Sequence, residues 1–428
     1  MTTTSEALHA YRTAGAEAQR FHRVLGLLPA VGNTIDLPMA CAAAGLAPAS
    51  AGELLAHLAR HDLIITGPEG HRFASSAVRR HATRAAEQTD TPATRTRIQH
   101  RALDWLLTAA TTAAALINPH RPPIDPPVTH PPQHPLALTS PHQARAFLRH
   151  RNHHLPAVLH LAQSSHPAAV PHLLHAFWDP DLIERDLRTW ADDHHQGLHI
   201  LANPSTAGDR LLRRRLLSAR ATALSSLLRF PAALDDCHEA LSMARSGQDA
   251  EGVAEHLRDL GAVYHQACAH DLGRTYLSES LRAWSALGRR REAAGCGLLL
   301  AVVDLDLGAS GADVLHRLRV AERDLLAEAD PLGAARARAW QGRVLALDGL
   351  YNDATMAYRS AVEVFTAHGA VLWQGRVLSW TARVLQERGQ AGQAAALYRR
   401  SAHLYHGRSP QDHALVQAAL ARLSQVAA

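Results

Sequence analysis

Small and large apolar residues alternate in a fixed order through the second half of the chain. In the segment WQGRVLALDGLYNDATMAYRSAV, which begins at Trp340, the small residues Gly342, Ala354 and Ala361 alternate with the large side chain of Tyr358. Small residues facing large ones allow two antiparallel helices to pack closely. The segment therefore predicts a helical hairpin.

The same pattern returns at a period of about 40 residues. In WTARVLQERGQAGQAAALYRRSA, Ala394 and Tyr398 take the places of their counterparts in the preceding copy. Earlier copies around Ala221 and Gly261 follow in the same phase, and the copy from about Ala294 is the weakest. Self-similarity of this kind is typical of stacked helix pairs.

These positions resemble those of tetratricopeptide repeats (TPR), and the match is best in the fourth and fifth copies. The usual period of that family is about 34 residues, so the resemblance implies longer helices here. It also implies a TPR-like α-solenoid superhelix, which we place at residues 207–428 as five repeats. We expect a capping helix from about Gln411 to Gln425, because an end repeat must cover its apolar face.

The first 88 residues carry a different arrangement of apolar segments. FHRVLGLLPA, IDLPMACAAAGL and SAGELLAHLARHDLII read as three short helices, and a hairpin around Gly67 to Gly70 follows them. That order predicts a winged helix-turn-helix domain at residues 1–88. Nine prolines between Asn118 and Pro141 exclude helix and sheet and predict an extended segment. The remaining predicted divisions are a connecting helix at residues 89–118, a Pro/His-rich linker at 119–141 and a helical entry module at 142–206.

The composition favours helices and excludes several common chemistries. Apolar residues make up 47% of the chain and aromatic residues only 5%, which favours a mostly α fold. All 44 residues of the Lys and Arg class are Arg, so the lysine of a Walker A loop is absent, and no G-x-S-x-G motif occurs. The triplet GCG at Gly295 to Gly297 lacks the third glycine of a dinucleotide-binding loop. The sequence therefore predicts a protein that is not an enzyme and uses no cofactor.

The four cysteines are far apart and show no CxxC spacing, so neither a disulfide framework nor a thiolate metal site is indicated. No apolar run approaches the roughly 20 residues that span a bilayer, and the start MTTTSEALHAYRTAG does not have the character of a signal peptide. We therefore expect a cytoplasmic protein. The net charge of +5 allows an acidic partner without requiring one, and the oligomeric state stays open.

Together these segments resemble the C-terminal half of the AfsR-like regulators, STAND-type transcription factors that control antibiotic production in actinobacteria. The resemblance rests on RFHRVLGLLPA, LLAHLARHDLI and RFASSAVRRHA in the first domain and on FLRHRNHHLPAV before the repeats. It implies control of secondary-metabolite genes. The activator and NB-ARC domains of such regulators are expected to be absent, and Ala74, Ser75 and Ser76 stand where the family has a His-Asp nucleotide sensor.

The first helix of each repeat is expected to line the concave face of the stack, and six arginines recur along it at related positions. Guanidinium groups bind carboxylates and phosphates through paired hydrogen bonds. We therefore predict a groove that binds an acidic peptide or protein; arginines that only solubilise the surface are the alternative. Trp340 and Trp380 are expected in the core between helices. The candidate groove residues are Arg215, Ser218, Thr222, Arg258, His265, Leu298, Val302, Arg336, Arg343, Arg376 and Arg383.

The winged helix is also a candidate DNA-binding module. Its third helix, predicted from Ser50 to His61, offers a single arginine, whereas the stretch from His71 to Arg101 holds seven. Direct, ligand-responsive transcriptional regulation is therefore the alternative function, and a solvated helix face is the plain structural interpretation. The candidate DNA contacts are Arg60, Arg72, Arg79, Arg80 and Arg84.

Thirty histidines raise the question of a metal site, and a biosynthetic enzyme with His-bound metal is the third alternative. His150 and His154 would share one helix face, as would Asp192, His195 and His199. No HExxH motif occurs. Solvated or hydrogen-bonded histidines are the better interpretation, so we predict no metal site.

Overall fold

The chain is predominantly helical in a computed structural model that describes residues 4–29, 32–67, 70–179 and 186–426. The described residues form 21 helices and three short strands, so the prediction of a mostly α fold is confirmed. The chain divides into two compact units, Met1–Phe177 and Trp178–Ala428.

The first unit contains nine helices and all three strands of the described residues. They are α1 (Thr4–Thr13), α2 (Ala16–Gly26), β1 (Thr34–Ile35), α3 (Leu37–Ala44), α4 (Pro48–Arg60), β2 (Ile64–Gly67), β3 (Gly70–Phe73), α5 (Ser76–Thr89), α6 (Pro92–Ile117), α7 (Pro141–Asn152), α8 (Leu155–Ser165) and α9 (Ala169–Phe177).

Polar caps and a glycine fix the bounds of the short helices in this unit. The carboxylate of Asp36 accepts a hydrogen bond from the amide of Met39 at 3.2 Å and begins α3. Gly45 ends that helix with a left-handed φ of 68°. The hydroxyl of Ser75 caps α5 in the same way, by accepting from the amide of Val78 at 3.3 Å.

The strands form one antiparallel sheet in the order β1-β3-β2. Ile64 lies opposite Phe73 and both are buried, and the pairing ends with Gly67 opposite Gly70. The tip of the predicted hairpin, residues 68 and 69, lies outside the described residues. Helices α2, α3 and α4 contact one another, and α4 also contacts β2, so the helices and the sheet share one core.

A buried carboxylate connects the long helix α6 to the proline-rich segment that follows it. Oδ2 of Asp104 accepts hydrogen bonds from the amide of Thr129 at 3.2 Å, from its hydroxyl at 3.0 Å and from the amide of His130 at 2.7 Å. Residues 118–140 contain no helix or strand, yet Ile124 is buried. The proline-rich segment is therefore held in place rather than free.

The second unit contains the helical repeats. Its helices are α10 (Leu187–Ile200), α11 (Ala207–Ser226), α12 (Phe230–Ser246), α13 (Ala250–Gln266), α14 (His270–Ala286), α15 (Arg290–Asp306), α16 (Gly311–Ala327), α17 (Pro331–Leu347), α18 (Tyr351–His368), α19 (Val371–Glu387), α20 (Ala391–Tyr405) and α21 (Pro410–Val426).

Helices α11 to α20 form five consecutive pairs, and α21 packs against α20 after the last pair. The second helices begin at residues 230, 270, 311, 351 and 391, so the period is 40 or 41 residues. Each turn between α11 and α20 holds one residue with a left-handed φ, and these residues recur every 20 or 21 positions, which sets the repeat length. They are Leu228, Gln248, Cys268, Gly288, Gly308, Ala329, Gly349, Gly369 and Gly389.

Small residues bring the two helices of a pair close together. A Cβ atom at Gly342 of α17 would lie 2.7 Å from Cδ1 of Tyr358, whose side chain is buried in α18. A Cβ atom at Gly261 of α13 would lie 2.6 Å from Cγ of Leu277 in α14. The alternation of small and large residues in the sequence thus corresponds to direct packing between paired helices.

Among the described residues, no single helix has both the length and the apolar character to cross a membrane. Helices α3 and α4, which form a bent pair, would together be long and apolar enough to do so, by length and composition alone.

Candidate partner-binding face of the helical repeats

The first helices of the five pairs, α11, α13, α15, α17 and α19, contact one another in sequence as well as their own partners. They therefore form a continuous layer. All the predicted groove residues lie on these five helices, but the structure places them in different environments.

At the start of this layer, arginine is buried. Arg215 of α11 is only 7% exposed. Its neighbour Arg214 is equally buried and donates to Asp249 at 2.5 Å. Thr222, further along α11, is exposed. The predicted row of exposed arginines therefore does not extend to Arg215.

Arg258 of α13 has its own counter-charges. It donates to the carboxylate of Asp259 at 2.7 Å and lies 3.9 Å from Glu255. Burial opposes the charge of the guanidinium, but these two carboxylates outweigh it and raise the pKa of Arg258. Ser218 of α11 also donates to Asp259, at 2.7 Å. Arg258 is thus part of an internal network between α11 and α13.

The middle of the layer offers apolar side chains and one paired histidine. Leu298 and Val302 of α15 are buried in a hydrophobic core that extends to α17. His265, in the last turn of α13, has its Nε2 atom 2.7 Å from Oδ2 of Asp306 at the end of α15.

The last two pairs hold a tryptophan between two of the predicted arginines. The guanidinium carbon of Arg336 lies 5.7 Å from the centroid of the Trp373 ring, and that of Arg376 lies 4.9 Å from it. Phe365 stacks on Trp373 with 5.5 Å between the ring centroids. Cation–π contact of this kind orients a guanidinium group. Trp373, half-buried in α19, thus positions arginines from two neighbouring helices.

Arg343 and Arg383 occupy equivalent positions in these two pairs, 40 residues apart. Arg343 is half-buried and forms no ion pair within the described parts of the chain, whereas Arg383 is 58% exposed and donates to Glu387 at 3.3 Å. Burial raises the pKa of the Tyr358 hydroxyl, and the positive charges of Arg343 and Arg383 oppose that rise. Both guanidinium groups therefore influence the pKa of the same tyrosine.

Trp373 was missing from the predicted groove, although the sequence contains a signal for it. The tetrapeptide WQGR occurs twice, at residues 340–343 and 373–376, and on a helix its first and fourth residues are neighbours. Trp340 and Trp380 pack against the hydrophobic cores of successive pairs, with 5.0 Å between their ring centroids.

The candidate DNA contacts lie in the first unit and are mostly exposed. Arg60 on α4, Arg72 on β3, and Arg80 and Arg84 on α5 are exposed. Arg79 is half-buried, donates to the carbonyl oxygen of Gly32 at 2.6 Å and has a pKa lowered by burial. A shallow cavity beside it is lined by Gly32, Asn33, Ser76, Arg79, Arg80 and Thr83.

The histidine groups considered in the sequence do not bring three metal-ligand atoms together among the described residues. The rings of His150 and His154 are 6.3 Å apart, and burial followed by the charges of nearby His153, Arg151 and His150 lowers the pKa of His154 to about 4.

In the second group, Asp192, His195 and His199, one histidine contacts an arginine of the neighbouring helix α11. Nδ1 of His195 lies 3.0 Å from a guanidinium nitrogen of Arg220. That guanidinium also donates to Asp236 at 2.5 Å.

No protein-family model and no curated protein matches this sequence. Solved structures with a similar arrangement include the apo form of RapI, with 11% identity and a TM-score of 0.48 over 62% of this chain and 98% of that one. NprR in complex with its peptide NprX has 13% identity and a TM-score of 0.45 over 67% and 81% of the two chains. A STAND protein with a tetratricopeptide repeat sensor from Pyrococcus horikoshii has 11% identity and a TM-score of 0.41 over 96% and 64%.

Proposed function

We propose that this protein is a regulatory adaptor without enzymatic activity, and that its repeats bind an acidic peptide or an acidic segment of a protein. The observation that carries the proposal is the placement of Arg336 and Arg376 against Trp373. Arg343 and Arg383 lie on the same two helices, α17 and α19. The proposed binding face consists of these four arginines and Trp373.

The chemistry of this face suits carboxylates. A guanidinium group binds a carboxylate through two parallel hydrogen bonds, and hydrogen bonds to charged groups contribute about 1.5–3 kcal/mol each. Two of the arginines are oriented by an aromatic ring, which reduces the side-chain entropy that a partner must overcome on binding. An extended acidic segment could therefore contact α17 and α19 together.

We further propose that the first unit contains a winged helix-turn-helix and that the protein acts in the control of secondary-metabolite genes. The element order α2, β1, α3, α4, β2, β3 and the antiparallel sheet support the winged-helix assignment. The proposed regulatory role rests on the resemblance of the sequence to AfsR-like regulators and not on the fold.

Fluorescence anisotropy with labelled peptide mixtures tests the binding face. One mixture has Glu at every second position and the comparison mixture has Lys there. The parent protein should bind the Glu mixture saturably and more weakly as salt is added. In the double variant Arg343→Glu and Arg383→Glu, the loss of two charge-assisted contacts should weaken binding on the order of 100-fold.

A matched control changes the same net charge on the second helices. Arg359 of α18 and Arg399 of α20 are exposed and occupy equivalent positions in the same two pairs. The variant Arg359→Glu and Arg399→Glu should retain most of the affinity. Equal weakening by both double variants would mean that net charge attracts the peptide, and the proposed face would be wrong.

Direct DNA binding by the first unit is a second candidate function. It is favoured by the exposure of Arg72 on β3 and of Arg80 and Arg84 on α5. In a winged helix the third helix usually enters the major groove, but the exposed residues of α4 include Glu53 and only one arginine, Arg60. Contact with phosphates through β3 and α5 is therefore better supported than reading of base edges.

A further inference from the structure

Two histidines and an aspartate from three successive helices lie close together in the second and third repeats. His265 ends α13, His270 begins α14 and Asp306 ends α15. One nitrogen or oxygen atom from each side chain lies within 4.8 Å of the other two. The two imidazole rings are tilted against each other with 5.3 Å between their centroids.

The group combines partial burial with access to solvent. The side chain of His265 is 18% exposed and that of Asp306 is 44% exposed, while His270 is half-buried. Nδ1 of His270 is buried and has no hydrogen-bond partner among the described residues. A buried polar atom without a hydrogen-bond partner is destabilising, so a ligand that satisfies His270 would stabilise the site.

The donor atoms determine which ligand fits. Two imidazole nitrogens and one carboxylate oxygen are the donors of Zn²⁺ and similar first-row ions, whereas Ca²⁺ and Mg²⁺ prefer oxygen atoms alone. Tetrahedral zinc with bonds of about 2.0–2.2 Å holds its ligand atoms roughly 3.4 Å apart. The group approaches that spacing, and Asp306 is exposed enough to rotate into it.

We propose that His265, His270 and Asp306 form a binding site for a divalent ion of the zinc class. Three protein ligands leave one position of a tetrahedral ion open for water or an external ligand. The ion would connect the second repeat to the third, because α13 and α14 belong to one helix pair and α15 begins the next.

The alternative is that the contact between His265 and Asp306 is only an ion pair that connects α13 to α15. The two interpretations differ at His270, which takes no part in that ion pair. A metal site needs His270, whereas the ion pair does not. The variant His270→Ala therefore separates them and leaves the contact between the other two residues in place.

The experiment uses the untagged full chain, stripped of metal by dialysis against a chelator, with Co²⁺ alone as the probe. The parent protein should bind one Co²⁺ ion with the visible absorption of a tetrahedral complex, and Zn²⁺ should displace it. His270→Ala should lose that absorption, and Asp306→Asn should bind at least 10-fold more weakly. Far-ultraviolet circular dichroism of each variant establishes that it is folded.

A matched control accounts for the many other histidines. His406 and His413 have ring centroids 5.5 Å apart and belong to no group of three metal ligands among the described residues. His413→Ala should keep the absorption and the affinity of the parent. The proposal would be overturned if the parent gave no tetrahedral absorption, if His270→Ala retained it, or if His413→Ala also lost it.

Discussion

Two glycines in the first helices of the repeats differ in what an added methyl group would meet. At Gly297 of α15 nothing lies within 4 Å of a new Cβ atom. At Gly261 of α13 the new atom would lie 2.6 Å from Cγ of Leu277 and 3.0 Å from the carbonyl oxygen of Gly273. Both glycines lie inside 17-residue helices, so substitution by alanine brings a similar gain in helix propensity at both positions, up to about 1 kcal/mol.

The expected changes in the free energy of unfolding have opposite signs. Gly297→Ala should increase it by about 0.5–1 kcal/mol, because only the backbone gain applies. Gly261→Ala requires α13 and α14 to move apart, since a backbone carbonyl cannot rotate away as a side chain can. Overpacking of this kind costs about 1–3 kcal/mol, which outweighs the helix-propensity gain of up to about 1 kcal/mol, so we expect a net loss of up to about 2 kcal/mol. A difference of roughly 2 kcal/mol between the variants corresponds to roughly 30-fold in the folding equilibrium.

Urea unfolding followed by far-ultraviolet circular dichroism measures both variants against the parent protein. A shift of the midpoint at constant slope reports a change in stability, and native-state hydrogen exchange in α13 and α14 locates it within a stack that can unfold in steps. If Gly261→Ala proved as stable as Gly297→Ala, the close approach of α13 and α14 would not constrain the fold, and the reasoning would be wrong.

Two further predictions concern the first unit. Burial, followed by the charges of His81 and Arg23, lowers the pKa of His22 from 6.5 to about 3. The folded protein therefore keeps His22 neutral, so the free energy of unfolding is at its full value above about pH 6.5 and decreases as the pH falls toward 3. Between pH 7 and pH 5 this loss amounts to about 2 kcal/mol, and His22→Phe should remove it from the pH dependence of unfolding; an unchanged pH dependence would contradict the assignment. If β3 and α5 bind DNA, replacing Arg72, Arg80 and Arg84 by Ala should weaken mobility shifts of duplex DNA and reduce the salt slope by roughly 3. The absence of any shift by the parent protein at low salt would exclude this function.

The sequence predicted the repeats well because their determinants are local. The turn glycines Gly349 and Gly389 and the small residues opposite Tyr358 and Tyr398 recur in phase, and both are visible in one copy at a time. The environment of individual arginines was harder to predict. Arg215 is buried in the first pair, although the sequence places it in phase with arginines that are half-buried or exposed in the later pairs. The neighbouring Asp259 could have indicated that Arg258 is paired.

Contacts between repeats were the part that sequence patterns could not supply. His265 and Asp306 are 41 residues apart, so they come together only because successive pairs stack with a fixed offset. The same holds for Arg336 and Trp373, which belong to neighbouring first helices. Asp104 gave no signal either, since its partners lie 25 and 26 residues away in a segment without regular structure.

The proline-rich segment also illustrates how a chain without helix or sheet can be ordered by few contacts. Fixing the backbone of an ordinary residue costs about 1–2 kcal/mol in conformational entropy, but a proline has a fixed φ and loses less on folding. Nine prolines between Asn118 and Pro141 therefore make the unfolded segment stiff before it meets the rest of the unit. Burial of Ile124 and three hydrogen bonds to Asp104 then hold a stretch that would otherwise need many more contacts. The prolines that prevent helix and sheet in this segment thus also lower the entropy cost of ordering it.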